Sequence, residues 1–423
     1  LQAQRQGDRD QALEIYDYPG EYKDPSVGER LAAVRLEELQ ATRFDAALDA
    51  AFVIEVPLAG IPDGTHPVTL TVGDGGAERA RATAMLVKRP FRKGATQIDR
   101  QRRCLVVDGR PRLLIAPFFG VPRGVKPENR EQVSGNLLRH HTEMGYRDLL
   151  IGAVDDPPVA ELSQMVFDRC AAAGVKVLYW PFQSWNRRNE VTPGARLQSV
   201  RSDGIVGWLV VDEPELYAKS EEVEPFMEAY RAASPYTPVF MNNTLIGIPG
   251  RFASLKTDIL MLDDYLTNRE GRKVIEMIRA TEMMWEAGRE ERIPVFYFLA
   301  GENLHNHYRE PTYAEQVAQT YGVILAGARG VSYFTSLTYS PEHYRALVDV
   351  NRELLALEET ILSLEPVAPA AVANPAIRHL TRRTGDTLTV LALNAGNDHP
   401  VDAEIVLPAA FAGAAQAEVL FEG

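Results

Sequence analysis

Two glutamates, Glu213 and Glu302, are the residues best placed by type and context to do chemistry. Each follows a short apolar run, the first within residues 212–215 (DEPE) and the second within residues 301–303 (GEN). One carboxyl group can protonate a leaving oxygen while a second attacks the sugar or activates water, which is how glycosidic bonds are cleaved. This chemistry requires a fold that brings the two side chains to one opening.

A repeated strand, loop and helix pattern between residues 106 and 363 predicts that fold. Eight short apolar runs, typical of parallel strands covered on both faces, occupy 112–120, 146–154, 175–185, 206–215, 238–245, 258–266, 294–303 and 330–337. Amphipathic stretches predict helices at 159–173, 221–233, 272–287, 313–327 and 343–362. The alternation predicts an α/β fold, a (β/α)8 TIM barrel. An open doubly wound sheet is the rival, but residues 120–124 (GVPRG) lack the spacing of its phosphate loop.

The predicted barrel turns the list of acids into a candidate site. Active sites of such barrels lie at the carboxyl ends of the strands, where Glu213 ends strand four and Glu302 ends strand seven. Strands four and seven are nearly opposite in a ring of eight. A carboxyl separation of roughly 5–5.5 Å would specify a retaining mechanism and roughly 6.5–9.5 Å an inverting one, and the sequence leaves that choice open.

The two anchor acids resemble those of the large clan of retaining glycoside hydrolases that includes β-galactosidases and β-mannosidases. The resemblance implies that Glu213 is the general acid and base, that Glu302 is the nucleophile, that the substrate is a carbohydrate and that no cofactor is needed. The usual motif at strand four is Asn-Glu-Pro, whereas this chain has Asp212 before the glutamate. The clan's asparagine hydrogen-bonds the sugar 2-hydroxyl, and Asp212 can accept that bond but not donate one.

Further residues at strand ends are expected to contact the sugar, because such sites combine aromatic platforms with hydrogen-bonding side chains. Packing is the competing interpretation for the aromatic ones, a salt bridge for Asp264 and a solvated loop for His305. No metal is expected, because a site would need three convergent ligands. The predicted substrate-binding residues are Asp212, Gln183, Trp185, Asn186, Asn243, Asp264, Tyr265, His305 and Tyr333.

The segments outside the barrel predict small β-sandwich modules at residues 46–105 and 364–423, and a polar segment, helical towards its end, at residues 1–45. Residues 12–41 separately resemble VgrG, the spike protein of the bacterial type VI secretion system. This second resemblance implies a different class of function, a spike-associated cargo or interaction protein.

Composition bounds the possible partners. The net charge of −13 argues against a nucleic-acid backbone. No apolar run approaches the roughly 18–20 residues of a membrane span. A non-catalytic carbohydrate-binding barrel is the nearest rival to an enzyme. A homo-oligomer is compatible with the sequence, which leaves the oligomeric state and the cellular compartment undetermined.

Overall fold

The computed structural model describes residues 11–17, 29–35, 42–43, 50–51, 58, 60–74, 77–153, 157–181, 185, 189, 192–198, 200–244, 257–268, 271–301, 309–334, 340–396, 399–414 and 416–421. The chain divides into two compact units, Leu1–Arg92 with Leu364–Val367, and Lys93–Ser363 with Ala368–Gly423. The four-part division expected from composition stays a prediction. No described helix has both the length and the apolar character of a membrane span.

The first unit contains an antiparallel sheet with the strand order β2-β1-β5-β6. Its strands are β1 (Gln11–Asp17), β2 (Glu29–Arg35), β5 (Gly64–Asp74) and β6 (Ala77–Lys88), and β3 (Thr42–Arg43) pairs separately with β4 (Ala50–Ala51). The described residues form one such layer and not the two facing layers of a sandwich.

The helix expected near the end of the polar segment is wrong, because residues 29–35 form β2 instead. This strand pairs antiparallel with β1 along its whole length. Over so short a run, apolar residues cannot distinguish a period of 3.6 from a period of 2. The backbone pairing with β1 decides between them.

The second unit is an α/β barrel, as predicted. Its strands are β10 (Leu114–Ile115), β11 (Phe118–Gly120), β12 (Asp148–Ala153), β13 (Lys176–Pro181), β14 (Ile205–Asp212), β15 (Val239–Thr244), β16 (Leu260–Asp263), β17 (Val295–Ala300) and β18 (Gly330–Phe334). All neighbouring pairs are parallel. Strand one is split: β10 pairs with β18 and β11 with β12. Residues 114–120 therefore connect the two ends of the sheet and close the ring.

Helices cover the outside of the ring, and those after strands two, four, six, seven and eight lie at the positions expected from the amphipathic stretches. They are α1 (Arg130–Glu143), α2 (Pro157–Ala172), α3 (Pro193–Leu197), α4 (Ser220–Ala233), α5 (Val274–Ala287), α6 (Tyr313–Leu325) and α7 (Pro341–Ile361). Local signals set their starts: Thr312 and Glu315 form a capping box for α6, and the Ser340 hydroxyl accepts from the His343 amide before α7.

The amino-terminal end of the barrel is closed by a small sheet of three strands, β7 (Gln97–Asp99), β8 (Cys104–Val107) and β9 (Arg110–Arg112). Leu105 and Val107 of β8 belong to the same buried cluster as Leu178, Phe240 and Phe296 of the barrel strands. The barrel interior is therefore a packed core, and ligands can enter only from the opposite, carboxyl end.

The C-terminal segment forms strand pairs on the barrel unit. Strands β20 (Ile377–Thr384) and β21 (Thr387–Asn394) make an antiparallel hairpin, and β19 (Ala371–Val372) pairs with β22 (Ile405–Val406). The hairpin packs against α6 and α7. Among the described residues these are two-stranded pairs, so the β-sandwich expected here is not formed by them.

The core at the amino-terminal end of the barrel offers a stability test at Gly330, the first residue of β18. A Cβ built there would lie 2.5 Å from the ring of buried Phe296. We expect Gly330→Ala to lower the free energy of unfolding by about 1–3 kcal/mol, because a well-packed ring cannot move aside freely. Denaturant unfolding measures this. Gly194→Ala in α3, where an added Cβ meets nothing within 4 Å, is the matched control, and equal midpoints for both variants would contradict the packing argument.

Candidate active site

Three polar side chains face the barrel interior at the carboxyl ends of adjacent strands. Asp212 ends β14 and is in register with Asn242 of β15, and Asp263 ends β16. Two residues earlier on their strands, Phe240 and Met261 belong to the interior core cluster. Because side chains alternate along a strand, Asn242 and Asp263 point to the same interior side. The Asn242 Nδ2 atom donates to Asp212 Oδ1 at 3.0 Å.

Glu213 joins this group through an unusual backbone conformation. Its φ of 45° and ψ of 47° are left-handed, which is uncommon for a residue other than glycine and costs on the order of 1–3 kcal/mol. Its amide donates to the Asn242 carbonyl at 2.9 Å, and buried Pro214 follows it. In an extended strand Glu213 would face away from Asp212, whereas here its carboxyl group hydrogen-bonds to that of Asp263.

The shared environment raises the pKa values of the surrounding acids. Burial, and next the charges of Glu213 and Asp212, raise the pKa of Asp263 well above its usual range. Burial raises the pKa of Asp212 to about 7, with the charges of Glu213 and Glu215 acting in the same direction and the Asn242 hydrogen bond opposing them. Two carboxylates this close cannot both ionise easily. Asp263 therefore holds its proton to a higher pH than an exposed aspartate does.

Tyr265 adds a hydroxyl donor to the cluster. Its hydroxyl group donates to Asp263 Oδ2 at 3.3 Å. Burial and the nearby Asp263 charge raise the Tyr265 pKa well above its usual range, so the hydroxyl keeps its proton. The Tyr265 carbonyl is held by Arg272 Nη1 at 3.1 Å. Tyr265 thus lies in the candidate site, next to Asp263.

Aromatic rings occupy the mouth on the strands that carry no acid in the cluster. Phe118 stacks on Phe334 with ring centres 5.2 Å apart, and Trp180 and Phe298 lie 5.6 and 5.9 Å from Phe118. Trp180 and Phe334 are only partly buried. The mouth therefore has a carboxyl-rich side on β14 to β16 and an aromatic side on the remaining strands.

Several predicted site residues lie outside the described part of the chain. They are Glu302, Gln183, Asn186 and His305. Gly301, which precedes Glu302, is buried, and its amide donates to the Phe334 carbonyl at 2.9 Å. The roles expected for these four residues stay predictions.

Three other predicted sugar contacts are corrected by the structure, because their side chains lie behind the sheet. Asp264 forms a buried ion pair with Arg272 and also accepts from the Tyr297 hydroxyl at 3.1 Å. Asn243 Nδ2 donates to the Met261 carbonyl. Tyr333 is fully buried, with its hydroxyl 3.3 Å from that of Thr320 on α6. These residues support the strand ends from outside and do not reach the mouth.

Trp185 is also not the exposed platform expected from its position after strand three. Its side chain is 6% exposed and packs edge-on against Phe226 of α4, with ring centres 5.2 Å apart. Packing, the competing interpretation for this residue, accounts for these contacts. Trp180, one residue before the end of β13, has a partly buried ring at the mouth instead.

Asn242 and Asp263 face the interior, although their neighbours were preferred as the predicted contacts and Asp263 was considered only as an alternative contact to a sugar hydroxyl. Each directly precedes a residue that was selected, Asn243 and Asp264. Which residue of each pair lies in the site depends on the face of the strand that it occupies. The register between neighbouring strands would have identified that face. No group of three or more His, Cys, Asp or Glu residues in the described ranges is arranged to hold a metal ion.

No protein-family model and no curated protein matches the chain. Among solved structures, the β-glucuronidase of Bifidobacterium dentium complexed with coumarin-3-O-glucuronide is similar at 11% identity and a TM-score of 0.46, over 81% of this chain and 61% of that one. The Ruminococcus gnavus β-glucuronidase in complex with D-glucuronic acid follows at 11% identity and a TM-score of 0.43, covering 78% and 56%. That of Faecalibacterium prausnitzii has 13% identity and a TM-score of 0.42, covering 78% and 55%. This chain spans less than two thirds of their length.

The raised pKa of Asp212 predicts a pH-dependent stability. The folded chain holds this proton up to about pH 7, whereas an unfolded aspartate releases it near pH 3.9. The contribution of this proton to the free energy of unfolding is fully present below about pH 4 and is lost as pH rises through about 7. We expect the free energy of unfolding of Asp212→Asn, relative to that of the parent, to rise by on the order of 2 kcal/mol between pH 4.5 and 7.5. Denaturant unfolding at each pH measures this difference.

The control is Asp203→Asn, at an exposed aspartate before β14. Its stability relative to the parent should not change over the same pH range. An Asp212→Asn curve parallel to that of the parent would show that this carboxyl group titrates at the same pH in both states, contrary to the burial argument.

Proposed function

We propose that this chain is a glycoside hydrolase in which Glu213 is the general acid and base and Glu302 is the nucleophile. The observation that carries the proposal is the position of the Glu213 carboxyl group next to that of Asp263, at the barrel end opposite the small sheet. Glycoside cleavage requires a carboxyl group at this end of the strands that can transfer a proton to the leaving oxygen.

The bond changes follow the retaining route. The Glu213 proton passes to the glycosidic oxygen as the bond from that oxygen to the anomeric carbon breaks, and a Glu302 carboxylate oxygen bonds to that carbon. Water then attacks the same carbon, its proton returns to Glu213, and the Glu302 carboxylate leaves.

Two features support the placement of a sugar at this end. The partly exposed rings of Trp180 and Phe334, on β13 and β18, lie at the same end of the barrel as the acids and can pack on the apolar face of a pyranose. Glu302 is assigned from its place in the sequence, one residue after Gly301, whose amide is bonded at the rim of the mouth. Asp212 would accept a bond from a sugar hydroxyl.

Leaving-group dependence tests the role of Glu213. Activity is measured on a panel of phenyl and 2,4-dinitrophenyl glycosides in α and β configurations. We expect Glu213→Gln to reduce kcat/KM on the phenyl glycosides by roughly 10²–10⁴-fold, and far less on the dinitrophenyl glycosides, whose leaving group needs little protonation. Glu302→Gln should abolish both activities, because the nucleophile is needed for either leaving group.

The control variant is Glu228→Gln, at an exposed position of α4, which should retain the parental rates. If Glu213→Gln lowers both substrate classes equally, or not at all, Glu213 is not the proton donor. A folded parent that turns over no glycoside would instead support the non-catalytic carbohydrate-binding barrel.

A further inference from the structure

The carboxyl-rich side of the mouth carries a buried hydrogen-bond acceptor that no described residue supplies with a donor. Asn242 is 2% exposed, its Nδ2 atom is bonded to Asp212, and its Oδ1 atom has no partner within the described part of the chain. A buried amide oxygen without a donor costs on the order of 1–3 kcal/mol. A ligand that brings a donor to Asn242 would recover that free energy.

Among the described residues, no cation is paired with the acids of this side. None of the ion pairs between described residues includes Asp212, Glu213, Glu215 or Asp263. The charges that influence Asp212 and Asp263 are those of other carboxyl groups. Arg272, the cation bonded at the end of strand six, is used by Asp264 behind the sheet.

The aromatic side has the same electrostatic preference. The faces of Trp180 and Phe334 attract cations through the negative charge of their π-systems, and both rings are only partly buried. A carboxylate would be disfavoured on either side, by repulsion from the acids and by the ring faces. Both sides of the mouth therefore select against negative charge.

We propose that the site binds sugar rings in the order protonated amine, then neutral hydroxyl, then carboxylate, so that its substrate class is an amino sugar glycoside and not a uronide. An ammonium group supplies three donors and a positive charge, which matches the Asn242 oxygen and the neighbouring carboxyl groups. The inference rests on the proposed function, because it concerns the same site.

Binding distinguishes the two proposals, because it can be measured without turnover. The probes are p-nitrophenyl 2-amino-2-deoxyhexosides, hexosides and hexuronides, which differ in one substituent, in gluco and galacto series and both anomeric forms. Calorimetric titration of the full chain at low salt and pH 7.5, above the Asp212 pKa of about 7, gives the Kd values. Within the best-bound series, we expect the amine to bind about tenfold tighter than the hexoside, a difference of about 1.4 kcal/mol, and the uronide at least about tenfold weaker.

Two variants connect the preference to the acids. Asp212→Asn and Asp263→Asn each remove a carboxyl group while keeping its shape, and each should reduce the ratio of amine to hexoside affinity. Asp203→Asn, at an exposed position outside the mouth, should keep the parental ratio. If a variant fails to fold, the other one and the parental affinity order still decide.

The outcomes separate cleanly. The predicted affinity order without hydrolysis supports the ligand class and removes the hydrolase. Hydrolysis with a uronide bound as well as the amine keeps the hydrolase and overturns the ligand class. No binding of any probe overturns the ligand class as well, since the open end of the barrel would then not be a sugar site.

Discussion

Consecutive residues of an extended strand point to opposite faces of a sheet, and the acid cluster exists because Glu213 breaks that rule. Its left-handed backbone brings its carboxyl group to Asp263 while Asp212, one residue earlier, still contacts Asn242. The Asn242 carbonyl accepts the Glu213 amide and so holds the turn in place. Burial is the largest cause of the raised pKa values of Asp212 and Asp263, and the Glu213 charge that this turn brings close acts in the same direction.

The barrel could be predicted from the sequence because its signal is repeated eight times. Each parallel strand is covered on both faces and therefore appears as a short, continuous apolar run. Every run that was predicted to be a barrel strand contains an observed strand. The amino-terminal segment lacked this redundancy. Residues 29–35 are a single run of seven, and their pairing partner, β1, lies more than ten residues away in a polar stretch. Long-range pairing of that kind leaves no local signature.

The same double coverage limited prediction of the site. In a half-exposed strand, alternation shows which residues face the core, but a strand buried on both faces has no such alternation to show. The sequence therefore indicated where each strand ends but not which of two consecutive residues faces the interior. Asn243 and Asp264 were predicted as contacts, whereas Asn242 and Asp263 face the interior. Asp212 and Tyr265, which were also predicted, lie next to Asn242 and Asp263 at the strand ends. The packing of Phe240 in the core determines which residues of its strand face the interior.

The two ends of the barrel treat buried acids differently. At the closed end, Asp148 is 1% exposed and is paired with Arg112 at 2.9 Å and with Arg147. At the open end, Asp212 and Asp263 have no cation among their described partners and are held by burial next to other acids. The fold can evidently supply arginines to a buried carboxyl group where stability requires it. At the mouth, no described arginine is paired with Asp212 or Asp263, and the neighbouring Glu213 backbone is left-handed. Raised pKa values and backbone strain of this kind cluster at functional sites.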